Sequence, residues 1–182
     1  MWDEEKMVPM SQAVRMLVTG FEWESGLFIE VYKELSERIG KEAAKQVLAK
    51  AMYRTGLKLG EEARQLVDTH DTYGIAKAWD IIYGMGTKEA ARLDKDRFVI
   101  RGAGCAAFQL FQRWGVPDED IRYLADAYCV GDVGHAEGFG AGKMEFQHTM
   151  RLMNGADECE WDFSMQPLQP AEGAVKKPDI SS

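Results

Sequence analysis

Lys143-Met-Glu-Phe-Gln-His148-Thr-Met-Arg151-Leu-Met153, the step Asn154-Gly155-Ala156-Asp157, and Cys159-Glu-Trp161-Asp-Phe163-Ser-Met165 read as two strands around a turn. Side chains that alternate at period two mark a strand, because successive residues point to opposite faces of a sheet. Met144, Phe146, His148, Met150 and Leu152 share one parity, and Glu145, Gln147, Thr149, Arg151 and Met153 share the other. On the closing strand Cys159, Trp161 and Phe163 point inward, opposite Glu160, Asp162 and Ser164. Pairing through the turn sets Cys159 opposite the region near Leu152 and brings His148 nearer Phe163. Arg151 falls on the face away from His148, a placement that only a β-bulge would reverse.

Upstream, residues 89–93, the polar turn Asp94-Lys95-Asp96 and residues 97–101 read as a second hairpin, with Phe98 and Ile100 on one side and Val99 and Arg101 on the other. The first half of the chain is helical in pattern. In residues 23–39, Leu27, Phe28, Val31, Tyr32, Leu35 and Ile39 recur at three and four, and Gly40 stops the helix. A second helix is predicted over 41–67, in which Gly56 and Gly60 imply a close helix contact or a break. A third, over 74–83, ends in Gly84-Met85-Gly86, and His70-Asp71 before it reads as a cap. Between the hairpins, residues 105–115 and 117–129 read as two more helices, the latter started by Pro117 and three acids. Gly131, Gly134, Gly138, Gly140 and Gly142 then read as an end to regular structure, leaving His135 in a loop. These elements predict an α+β domain over residues 1–166, with N-terminal helices packed on an antiparallel sheet of about four strands. Residues 167–182, rich in Pro, Gly, Ala, Lys and Ser, are expected to form a flexible tail.

With 182 residues, 46% apolar content and five tryptophans, the chain can bury a core without staples. A net charge of −8 opposes a nucleic-acid or anionic-membrane partner, and no apolar run approaches a membrane span. Three cysteines cannot all pair within one chain, so reduced thiols are expected. Together with an acidic N-terminus unlike a secretory signal, this points to the cytoplasm. A homo-oligomer is left open, since the apolar stripe of residues 23–39 would serve a core or a dimer interface.

The chemistry-bearing residues crowd into the last third. Cys129, Asp132 and His135 recur at spacing three at a helix end. A carboxylate can orient a histidine, and a histidine can activate a thiol. The plain alternative is a buried cysteine with Asp132 capping a turn. His148 lies inward among Phe and Met, as either a core histidine or a pocket residue. Cys105, Cys129, Cys159 and a histidine could bind zinc or iron, but the short Cys-x2-Cys pairing of a specific site is missing. No cofactor is implied, and the glycines after residue 101 do not complete a nucleotide fingerprint.

Cys105 before a helix, the run Tyr128-Cys129-Val-Gly-Asp132, and the segment Thr149-Met-Arg-Leu152-Met-Asn-Gly155-Ala-Asp157-Glu-Cys159-Glu-Trp161-Asp-Phe163 resemble the L-2-amino-thiazoline-4-carboxylic acid hydrolase family. The closing segment is also similar to that of 4-vinyl reductase-type domains, which would make the chain a non-catalytic small-molecule binding or sensing module. The chain departs from the family pattern in having Cys105-Ala106 for Cys-Pro and Trp161 within the Cys-x-Phe step. The resemblance implies hydrolytic opening of a small cyclic amidine. It assigns Cys129 as nucleophile, or as a thiol beside activated water, Asp132 as the orienting group and His148 as acid/base. Arg101 or Arg151 would hold the substrate carboxylate, and Cys105, Cys159 and Trp161 would line the same pocket.

Overall fold

In the computed structural model, which describes residues 10–83, 88–171 and 174–180, three helices come first: α1 (Met10–Ile39), α2 (Lys41–Arg64) and α3 (Thr72–Tyr83). A hairpin follows, β1 (Lys88–Leu93) and β2 (Arg97–Gly102), then α4 (Ala106–Arg113), α5 (Asp118–Gly140), β3 (Glu145–Met150) and β4 (Cys159–Ser164). The strands form one antiparallel sheet in the order β1-β2-β4-β3, so the two hairpins join through β2 and β4. This is the expected α+β architecture. The Gly84-Met85-Gly86 stop and the acidic N-terminus lie outside the described residues. No described helix is long and apolar enough to cross a membrane.

Local chemistry accounts for most boundaries. Asp71 caps α3, its Oδ1 accepting from the backbone N–H of Tyr73 (3.1 Å) and Gly74 (3.0 Å). α1 begins well before residue 23, and its early turns expose Met16, Val18 and Trp23.

One expectation fails outright. The glycines after residue 130 do not end a helix: α5 continues through Gly131, Gly134, Gly138 and Gly140 and stops only where Ala141 and Gly142 turn left-handed. The reason lies in α2. A methyl group on Gly134 would stand 2.2 Å from the Tyr53 carbonyl oxygen, and one on Gly138 2.1 Å from that of Leu57. From the other side, Gly56 would meet the Gly131 carbonyl at 1.9 Å and Gly60 that of His135 at 2.1 Å. The two helices thus pack backbone against backbone. Glycine's helix penalty, about 1 kcal/mol per residue, is offset by packing that no larger residue permits.

The register of the last hairpin is also corrected. His148 pairs with Trp161, and Phe146 pairs with Phe163. A 3-10 turn at Leu152–Asn154 and a left-handed Gly155 widen the connection, and a bulge interrupts the ladder between His148 and Met150. Leu152 does meet Cys159, donating its N–H to Sγ at 3.4 Å.

The core has two parts. Trp79, Phe98, Ile100, Phe139, Trp161 and Phe163 fill the space between the sheet and the helices. Phe28, Tyr32, Leu48, Phe111 and Leu124 join α1, α2, α4 and α5. On the sheet's other face Asp162, 0% exposed, receives two bonds from Arg97 (2.8 and 2.7 Å) and one from Gln147 (3.1 Å). Among the described residues beyond Ser164 no helix or strand forms. Val175 is buried against Tyr53 and Val130, and Lys177 contacts Glu137 at 2.8 Å.

Candidate active site

Where the two core clusters meet, the chain leaves a cavity of about 290 Å3. α5 supplies Tyr128, Cys129, Asp132 and His135 to its wall, one helical turn after another. The sheet contributes Lys88, His148, Cys159 and Trp161, α4 begins beside it at Cys105, and α1 and α2 contribute Phe21, Glu24, Met52 and Gly56. All three cysteines, Asp132, His148 and Trp161 therefore converge on one space.

Asp132 is its chemical centre. His148 Nε2 lies 3.0 Å from Asp132 Oδ2, and Trp161 Nε1 donates to the same oxygen at 3.2 Å. The register that sets His148 beside Trp161 is what lets both reach one carboxylate. Burial alone would raise the Asp132 carboxyl, but the hydrogen bond and charge of His148, with His135 and Trp161 behind it, hold it below the usual carboxylate range. An ionised carboxylate only accepts, so His148 must present Nε2–H to it. The His148 side chain is 1% accessible and Asp132 34%, so Asp132 is the member of the pair that cavity water can touch. Nδ1 of His148 is buried without a hydrogen-bond partner among the described residues.

His135, expected in a loop, instead sits on α5 one turn past Asp132, buried and edge-on to Trp79. Its burial pulls the ring toward neutrality against the pull of Asp132.

The thiols are held in their protonated form. Burial pushes Cys129 well above the ordinary range, and the Asp132 charge and Cys105 add to it. Burial likewise raises Cys105, and it pushes Cys159 up to about 11. These surroundings oppose a thiolate at neutral pH. Alkylation by iodoacetamide, followed by mass spectrometry on the native protein, is expected to be slow at pH 7. It should quicken about tenfold per pH unit on the alkaline side, because the thiolate fraction rises until pH reaches the raised pKa. A fast, pH-independent reaction at Cys129 would contradict this environment.

The two candidate arginines part company. The bulge after His148 turns Arg151 inward: it is buried, lines the cavity and donates to Asp126 at 2.5 Å. Arg101 is not in the cavity. Its parity on β2 points it away from Ile100, and it donates to Glu160 at 2.5 Å on the outer face. Lys88, Glu24 and Trp79 went unread in the sequence. Lys88 opens an edge strand, where lysine ordinarily marks a solvated rim, and Glu24 and Trp79 lie on helices whose docking no periodicity reveals. Among the described residues, no three Cys, His, Asp or Glu side chains are grouped to hold a metal ion.

Comparison with known proteins adds one finding. Residues 20–163 match the family described as L-2-amino-thiazoline-4-carboxylic acid hydrolase. That span contains every residue lining the cavity. No curated protein matches the chain.

Proposed function

We propose, from the chain's membership of the L-2-amino-thiazoline-4-carboxylic acid hydrolase family, that its cavity opens a small cyclic amidine by water attack assisted by the Asp132–His148 pair. The observation that carries this reading is the buried histidine bonded to an ionised carboxylate that remains accessible from the cavity. In the reaction, water oxygen bonds to the amidine carbon between the ring sulfur and ring nitrogen, and the bond from that carbon to sulfur breaks. The water gives up both protons, one to the departing sulfur and one to the ring nitrogen, so that its oxygen becomes the carbonyl of the carbamoyl product.

Asp132 holds and polarises the water. Its proton passes to the Asp132–His148 unit, which returns it to the leaving atom. Trp161 fixes the carboxylate by occupying Oδ2 together with His148. The raised thiols favour water over Cys129 as the attacking group, so Cys129 is assigned to the wall beside that water.

The test is a turnover assay of the purified protein on L-2-amino-thiazoline-4-carboxylate, with product resolved by chromatography. Wild type is expected to form the ring-opened carbamoyl product. Cys129→Ser should keep kcat/KM within about tenfold, because a hydroxyl replaces the thiol without disturbing the acid–base pair. Loss of all turnover and of any covalent adduct in Cys129→Ser would instead make Cys129 the nucleophile. Tight binding without product by wild type would make the cavity a binding site.

A further inference from the structure

Lys88 reaches the cavity from the edge strand of the sheet. It opens β1 opposite Gly102, which in turn pairs with Cys159 across β2 and β4. The Lys88 side chain runs over Gly102: a methyl group built there would approach its Cγ to 2.8 Å. The bare glycine therefore leaves a lane across the second strand, and the lysine's stem occupies it. At the end of the lane Nζ stands 5.3 Å from the ring centre of Trp79 and 4.9 Å from that of Trp161, in the same cavity as Asp132, Cys105 and Cys159.

This is an unusual place for a lysine in a chain of net charge −8. An edge-strand lysine gains most by extending into water, where its ammonium is fully hydrated. Here the stem crosses inward, and two indole faces replace part of the hydration shell through cation–π attraction. Burial lowers the ammonium's pKa, while the Asp132 charge and the two neighbouring thiols oppose that shift. A partly desolvated, three-donor point charge beside two rigid rings suits an anion small enough to share the cavity with the attacking water. Arg151, a further basic side chain on the cavity wall, is directed to Asp126 by a 2.5 Å bond.

We propose that Lys88 receives the substrate's carboxylate and that Gly102 is the residue that admits it to the cavity. The proposal rests on the reading of the cavity as a hydrolase site for a cyclic amidine carboxylate, and it names the group that selects the acid over a neutral analogue. The carboxylate end would then lie at the sheet side, under Trp79 and Trp161, with the ring directed toward Asp132 on α5.

The test compares L-2-amino-thiazoline-4-carboxylate with its methyl ester, which keeps the ring and removes the charge. Both are titrated against wild type, Lys88→Gln, Lys88→Arg and Gly102→Ala by tryptophan fluorescence, Trp79 and Trp161 being the flanking reporters, and turnover is measured in parallel. For Lys88→Gln the affinity for the acid should fall about 10- to 100-fold, the range for a hydrogen bond between charged partners, with kcat changed far less. Affinity for the ester should be unchanged. Lys88→Arg should recover part of the loss. Gly102→Ala, checked for fold by circular dichroism, should weaken the acid selectively, and its loss should not add to that of Lys88→Gln in the double variant. Equal acid preference in wild type and Lys88→Gln, or additive losses in the double variant, would overturn the proposal. Lys88-dependent binding of the acid without turnover would uphold it and refute the hydrolase reading. Turnover of acid and ester alike, unaffected by Lys88→Gln, would do the reverse, and a cavity that binds neither would refute both.

Discussion

Asp132→Asn is expected to lower kcat/KM on the ring-opening substrate by roughly 10^3-fold while leaving the protein folded. Asparagine keeps the shape of the side chain, and its amide oxygen can accept from both His148 Nε2 and Trp161 Nε1, the two bonds that Oδ2 now receives. What disappears is the negative charge that holds water and shares its proton with His148. General acid–base groups contribute about 10^2- to 10^4-fold, and this pair fills both roles. Steady-state kinetics beside a urea melt would separate the effects, and an Asp132→Asn protein within tenfold of wild type would remove Asp132 from the mechanism. Asp132→Ala is a poorer probe, because it buries two N–H groups without an acceptor at about 1–3 kcal/mol each. The pH dependence has a definite sign. The folded-state carboxyl lies below its ordinary value of 3.8, so its contribution to stability is present above that value. It is lost as pH falls through the depressed one, and activity should hold through mildly acidic conditions as far as this group is concerned.

The second large effect concerns folding. Gly134→Val is expected to destabilise the protein by about 3 kcal/mol or more, a large share of the 5–15 kcal/mol available to a typical domain. The new Cβ would stand 2.2 Å from the Tyr53 carbonyl oxygen and 2.9 Å from the Leu57 nitrogen, so α2 and α5 must separate along their whole contact. Gly134→Ala is the sharper comparison. In an open helix it would stabilise by up to about 1 kcal/mol, as expected for Gly20→Ala, where nothing lies within 4 Å. Thermal melts of the two alanine variants should therefore move in opposite directions, and equal stabilisation of both would show that the helices have room between them.

These glycines also mark where sequence reasoning ran out. Intrinsic propensity treats Gly131, Gly134, Gly138 and Gly140 as breakers, and what favours glycine at Gly134 and Gly138 is a partner backbone at contact distance. The partner was visible in Gly56 and Gly60, but nothing local ties those two to residues more than seventy positions away. Alternation, by contrast, is a property of each strand alone, so the hairpins and the inward faces of His148, Cys159 and Trp161 were legible. Their register was not, because a 3-10 turn at Leu152–Asn154 leaves no mark on parity. Spacing on one helix gave Cys129 with Asp132. It could not give Lys88, whose reach depends on a missing side chain on the next strand, nor dismiss Arg101, whose engagement by Glu160 is a cross-strand matter.

The contact between α2 and α5 bears on what this pocket could ever be adapted to hold. Met52 and Gly56 form one wall and Cys129, Asp132 and His135 another, and main-chain atoms meeting main-chain atoms set the gap between the two helices. Where Gly56, Gly60, Gly134 and Gly138 meet the facing helix, repacking cannot widen the gap, since main chain touches main chain. Selection or engineering for a bulkier ring would have to carve room from α1, at Phe21 and Glu24, or beside Cys105 at the start of α4. The reactive carboxylate would keep its place while the specificity drifted around it.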